Sequence, residues 1–208
     1  MNVAVIGATG KTGQRVTTEL LQRGHHVIAV VRNPSKVQNQ KDVSVVTSDL
    51  SDSKQIAGAL KGADVVVSAY GAPADDASQV ISVTRRITDA AKQNKQRLLV
   101  VGGASSLFVQ PGVTVLSAGY VPEWGIPIAT AHNQVLEELR GSDADWTYFS
   151  PAAFFEPGER TGKFRLGKDD LIADASGKSH ISLEDYAIAT VDELESPAHR
   201  RERFTIGY

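Results

Sequence analysis

The sequence predicts a doubly wound α/β fold: a mostly parallel sheet with helices on both faces. Short apolar runs alternate with amphipathic helical stretches along most of the 208 residues, as in a parallel sheet joined by crossover helices. Most of those runs are apolar at consecutive positions, the pattern of strands covered on both faces. The first run, Val3-Ala4-Val5-Ile6, opens directly into the glycine-rich turn Gly7-Ala8-Thr9-Gly10-Lys11-Thr12-Gly13, and a helical pattern follows.

Taken in order, the expected strands are residues 2–6, 26–31, 43–47, 64–69, 97–101 and 146–150, and the expected helices 11–23, 52–60, 76–93 and 131–140. Val16 and Leu20, one turn apart, give the first helix its inward stripe. Gly24 and Gly62 stand where helices would end, each just before the next strand. His132, Val135, Leu136 and Leu139 follow the i, i+3, i+4, i+7 spacing, which puts His132 on the inward face and in the first turn of its helix. After Pro151 the pattern changes, and residues 156–168 read as charged, turn-rich chain. Ser182-Leu183-Glu184-Asp185 then opens a last helix with a capping-box pattern, and residues 203–206 could form a final strand. Residues 1–208 are thus expected to make one domain, with 151–200 contributing a small lobe over the carboxyl edge of the sheet.

Composition narrows the function. A hydrophobic content of 41% is that of a globular domain, and a formal charge of −2 gives no general attraction to nucleic acid or anionic lipid. The absence of cysteine excludes disulfides, thiolate zinc sites and a cysteine nucleophile. His25, His26, His180 and His199 lack metal-ligand spacing, so no metal is expected. No apolar run nears the roughly 18 residues of a membrane helix. With no basic or apolar leader before the first strand, a cytoplasmic setting is the expectation. Nothing in the sequence fixes the oligomeric state.

The chemistry should gather at the carboxyl ends of the strands, where open α/β sheets bind ligands. In the first turn, Gly7, Gly10 and Gly13 permit positive φ and close approach of a pyrophosphate. Thr9, Lys11 and Thr12 lie beside them, and the helix N-terminus supplies N–H groups and a positive dipole end. The position between first strand and first helix marks a Rossmann-type dinucleotide site. It is no Walker A loop, whose leading glycine would fall at Val5. At the end of the second strand stands Arg32 where an NAD-specific site would offer an acid. Arg32 can meet a 2′-phosphate with charge-assisted hydrogen bonds, which favours NADPH over NADH; the other reading is a solvated turn arginine. Asp49, followed by Leu50, is placed either to accept from the adenine amino group or to act as a turn residue. Ser68, Ala69 and Tyr70 end the fourth strand. Gly102 and Gly103, after the fifth, would admit the nicotinamide ribose or are simple loop glycines. Phe108, Trp124, Phe154 and Phe155 lie in segments expected to overhang the nicotinamide, where they suit a flat acceptor ring or pack in the core.

Short-chain dehydrogenases commonly protonate a reduced carbonyl with a tyrosine and a lysine four residues on. Four places after Tyr70, Tyr120, Tyr148 and Tyr186 stand Ala74, Trp124, Ala152 and Thr190, and Tyr208 is the last residue. That relay is missing. Either the acceptor needs little acid catalysis, or the protein binds dinucleotide without turning it over. Gly-Ala-Thr-Gly-Lys-Thr-Gly, Val-Arg-Asn-Pro, Ser-Asp-Leu, Gly-Gly-Ala-Ser-Ser-Leu and Asp-Trp-Thr-Tyr-Phe-Ser-Pro together resemble the atypical short-chain dehydrogenases. More narrowly, they resemble the NADH-flavin reductases and the flavin reductase/biliverdin-IXβ reductase proteins, over essentially the whole chain. The resemblance implies an NAD(P)H-dependent reductase that passes hydride directly to a flavin, held as substrate, or to a similar planar acceptor. It also implies that Ser105 and His132 border nicotinamide and acceptor; His132 is equally readable as a packing residue. The alternative readings are a dinucleotide sensor that signals through a partner, and a reductase or epimerase of a quinone or sugar.

Overall fold

The apolar runs do form strands of one sheet. A computed structural model describes residues 1–37, 41–73 and 75–208, leaving Gln38, Asn39, Gln40 and Ala74 outside the described residues. In chain order the first half comprises β1 (Asn2–Ile6), α1 (Lys11–Gln22), β2 (His26–Val31), β3 (Val43–Thr47), α2 (Ser53–Ala59), β4 (Val65–Ser68), α3 (Gln79–Gln93) and β5 (Arg97–Val101). There follow β6 (Phe108–Gln110), β7 (Val113–Thr114), α4 (Ile126–Arg140), β8 (Trp146–Ser150), β9 (Phe154–Glu156), β10 (Arg165–Gly167), β11 (His180–Ser182), α5 (Leu183–Glu195) and β12 (Glu202–Gly207).

The main sheet runs β10-β12-β8-β5-β4-β1-β2-β3, parallel throughout except for β10, which adds antiparallel to β12. The chain winds from β1 outward to β3, then returns to β4 on the other side of β1. That reversal opens a crevice beyond the carboxyl ends of β1 and β4, the usual ligand position in such sheets. Strand alternation feeds two cores. Val3 and Val5 pack with Val16 and Leu20 of α1 and Tyr186, Ala187 and Val191 of α5. Ala4 and Ile6 pack with Ile56 of α2, Val83 and Ile87 of α3, and Val135, Leu136 and Leu139 of α4. Val3, Ala4, Val5 and Ile6 are fully buried, at about 1.5–3 kcal/mol for each large apolar side chain.

Four expectations need correction. β3, at the sheet edge, is not covered on both faces: Val45 is exposed. α4 begins at Ile126, earlier than expected, since Pro127 sits in its first turn, where a missing N–H disrupts nothing. His132 therefore lies in the helix interior. The C-terminal lobe is narrower than 151–200: it consists of the β9–β11 pair and the loop between β9 and β10. α5 lies beside α1 in a helix layer, because Tyr186, Ala187 and Val191 bury against the sheet. Ser182 caps α5 by accepting from Asp185 N at 2.9 Å. The Asp185 carboxylate does not complete a capping box. It accepts instead from Gly162 N, Tyr208 Oη and Thr161 Oγ1, pinning the loop to the helix. Among the described residues no helix is long and apolar enough to cross a membrane, and no group of acidic or histidine side chains could hold a metal.

Candidate functional site

The turn after β1 uses its glycines for different purposes. Gly7 takes φ +77°, and a Cβ there would lie 2.5 Å from the Ala69 carbonyl oxygen. A Cβ on Gly13 would lie 2.1 Å from the Gly7 carbonyl oxygen, so α1 can start against β1 only without one. Gly10 is different. It is exposed, and its missing Cβ would meet nothing nearer than the Gly7 oxygen at 3.2 Å. Gly10 is the N-cap of α1, no side chain caps the helix there, and no acid stands in its first turn. The helix thus presents its opening N–H groups and dipole end to a cleft of about 320 Å³, lined on this side by Gly7, Thr9, Gly10, Lys11 and Thr12. A pyrophosphate fits such a cradle.

Arg32, Ser48, Leu50, Ala69, Tyr70 and Gly71 line the opposite side of the cleft. Arg32 is exposed. Tyr70 donates to Gln79 Oε1 at 3.1 Å; burial pushes its hydroxyl pKa up, partly offset by the nearby cations Arg32 and Arg86. Of the two readings of Asp49, the turn role is realised: its carboxylate accepts from Ser51 N at 2.9 Å, and hydrogen bonds from Ser51 hold it below the usual carboxylate range. Leu50 is buried at φ +63°, with Arg86 Nε donating to its carbonyl at 2.9 Å. Arg86 carries no local sequence signal, because its partner lies on another element. Ser68 is buried within β4 rather than in the cleft wall.

At the end of β5 the structure assigns the glycines a packing role. A Cβ on Gly102 would fall 2.3 Å from Tyr148 Cε1, and one on Gly103 would touch His132 Cβ at 3.3 Å. The buried Tyr148 hydroxyl accepts from Gly103 N (3.0 Å), donates to the His132 carbonyl (3.2 Å) and lies 3.3 Å from His132 Nδ1. Burial pushes the His132 pKa down to about 4 and the Tyr148 pKa up. Both shifts favour the neutral forms of the two groups. Ser105 is buried, and its hydroxyl points at α4, donating to Asn133 Oδ1 (2.6 Å) with Ala129 O 3.1 Å away. It holds α4 to the end of β5. The test for a lysine four residues on passes over Tyr148, whose partners come from α4 and the β5 turn.

The four aromatics separate into two kinds. Phe155 packs on Tyr186 with ring centroids 4.6 Å apart, and Phe108 is a half-buried strand residue bonded through its backbone to Asp169 and Leu171. Trp124 is 84% exposed; Phe154 is 55% exposed, but Lys178 Nζ stands over its ring at 5.7 Å, and it lines a separate surface cleft with His180 and Tyr208.

A family model described as NAD(P)H-binding matches residues 7–197, from the glycine turn to the end of α5. The chain belongs to this NAD(P)H-binding family. The Bacillus subtilis protein YwnB, itself uncharacterised, is 43% identical over 211 residues, covering 99% of this chain and 98% of that protein. A Bacteroides thetaiotaomicron structure provisionally named an epimerase is 45% identical with a TM-score of 0.94, covering 100% of this chain and 96% of its own. A Streptococcus pneumoniae structure provisionally named an NADH-flavin reductase is 34% identical with a TM-score of 0.89, covering 100% and 99%. The protein is an atypical short-chain dehydrogenase/reductase-like member of the family, with a Rossmann-type sheet.

Proposed function

We propose that the protein is an NADPH-dependent reductase that passes hydride directly to a flavin or similar planar acceptor. The observation that carries this reading is the pairing of an uncapped, glycine-lined helix N-terminus with an exposed arginine at the end of β2. The first suits a pyrophosphate and the second a 2′-phosphate. Bound NADPH supplies the hydride; the acceptor takes it with its electron pair, and the second proton of the reduction comes from solvent. The chain binds, orients and excludes water. His132, neutral and fixed by Tyr148, orients the acceptor, and Ser105 supports it through α4. Trp124 offers an exposed ring face to a flat molecule. Tyr148 has Ala152 four residues on and is buried beneath Gly103, so no tyrosine–lysine relay is invoked, in keeping with an acceptor that needs none. The name of the Streptococcus pneumoniae relative supports the same acceptor class.

The test is a panel of riboflavin, its phosphorylated form, biliverdin and quinones, each assayed with NADPH and NADH. The expected result is colourless purified protein, NADPH oxidation that requires added flavin, similar rates with both flavin forms, and intersecting double-reciprocal lines. Stoichiometric flavin retained through gel filtration, or parallel lines, would overturn direct transfer. Dinucleotide binding without turnover of any acceptor would favour a sensor, and turnover of a sugar with retained dinucleotide would favour the epimerase suggested by the Bacteroides relative's name.

A further inference from the structure

We propose that Arg86 is a positioning residue for the adenosine half of the dinucleotide, acting by holding the turn at residues 48–51 in a strained form that walls the cleft. β3 stops at Thr47 and the chain must reach the α2 N-cap, Asp52, within a few residues. It does so by placing Leu50 at φ +63°. That conformation disfavours an L-residue with a bulky side chain, so something must over-determine it. Three attachments do. The Leu50 side chain is buried in the core shared by α2 and α3, its N–H donates to Ser48 Oγ at 3.3 Å, and its carbonyl accepts from Arg86 Nε at 2.9 Å. Of the two hydrogen bonds, the first is local to the turn, whereas the second ties the turn to α3.

Ser48 and Leu50 line the same cleft as the glycine turn and Arg32, so the geometry of this turn is the geometry of the cleft wall. Without the Arg86 bond, the Leu50 carbonyl loses its anchor, and the peptide is free to relax toward negative φ. The wall then shifts whatever the ligand carries on its ribose. Arg86 also stands beside Asp49, whose carboxylate its charge helps keep ionised. It is therefore distinct from Arg32: Arg86 acts through backbone on a part of the ligand common to every adenine dinucleotide. The inference rests on the NAD(P)H-binding cleft and not on the acceptor, and dinucleotide binding alone reads it out.

Calorimetry on Arg86→Met, which keeps the aliphatic stem, and on Arg86→Lys tests it with NADPH, NADH and ADP-ribose. The expected result is that Arg86→Met weakens all three by a common factor of about ten, with the circular dichroism of the wild type, and that Arg86→Lys restores at least half of the loss on a logarithmic scale. A loss confined to NADPH would overturn positioning and make Arg86 a 2′-phosphate contact. Unchanged affinities would show that the turn stands without it, and an Arg86→Lys protein as weak as Arg86→Met would overturn the hydrogen-bond assignment. Because no acceptor enters the assay, failure here is separable from failure of the flavin reading.

Discussion

Substituting Gly13 by alanine should damage the fold before it touches the ligand site, and the same change at Gly10 should do the reverse. The new methyl at position 13 would lie 2.1 Å from Gly7 O, 2.8 Å from Gly7 C and 3.0 Å from Ala8 Cα, all backbone atoms. Ordinary contact begins near 3.4 Å, so α1 and the turn must separate by more than an ångström. No flexible side chain is available to yield. α1 would have to lift, drawing the fully buried Val16 and Leu20 out of their packing against β1 and β2. Overpacking of this kind costs about 1–3 kcal/mol, and the shortness of the contact puts Gly13→Ala at the upper end. At roughly 2–4 °C per kcal/mol for a chain of this size, Tm should fall by about 6–12 °C. At Gly10 the methyl meets one carbonyl oxygen at 3.2 Å and otherwise projects toward the cleft. Gly10→Ala should keep Tm within about 2–4 °C, the shift of about 1 kcal/mol, while losing dinucleotide affinity, and Gly10→Val should abolish binding in a folded protein. Thermal and urea unfolding, paired with NADPH calorimetry, read both effects. A Gly13→Ala protein with wild-type Tm, or a folded Gly10→Val protein with intact NADPH affinity, would refute the reasoning.

Arg32→Ala should weaken NADPH by about ten- to a hundredfold, the worth of a charge-assisted hydrogen bond, and leave NADH nearly unchanged; equal losses for both would remove the 2′-phosphate assignment. His132 should bind no proton in the folded state until the pH nears 4, against an ordinary value of 6.5. The unfolded chain binds that proton first, so stability is complete above pH 6.5 and is lost as pH falls toward 4. Urea midpoints across that window should fall less for His132→Gln than for the wild type, and an NMR titration of His132 centred near 6.5 would contradict its burial. Tyr148→Phe leaves the Gly103 N–H without its acceptor and should lower stability by about 1–3 kcal/mol, seen as a reduced urea midpoint at unchanged slope. If Tyr148→Phe unfolds like the wild type, the β5 turn does not depend on that hydroxyl.

What the sequence determined by itself was local. β1, β2, β3, β5 and β8 begin and end where their apolar runs do, because a short apolar run bounded by turn residues carries its own boundaries. The glycine turn was legible for a similar reason: it stands between a strand and a helix, and that context is contiguous in the chain. The cleft beyond the strands' carboxyl ends follows from the same order of elements. Errors arose where a residue's partner is distant. The helix expected from residue 131 begins earlier because Pro127 fits its first turn, and the sheet-edge place of β3 is set by the order of strands. Gly102 and Gly103 also leave room for Tyr148 and His132, residues of β8 and α4 that their place in the chain does not reveal. The Ser105 hydroxyl looks free until α4 brings Asn133 to it, and Arg86 has no visible task until α3 lays it against the Leu50 carbonyl. Periodicity and turn chemistry act over a few residues and are written in order along the chain. Burial and hydrogen-bond partners are set by which elements the winding of the sheet places side by side, so only the tertiary structure decides them.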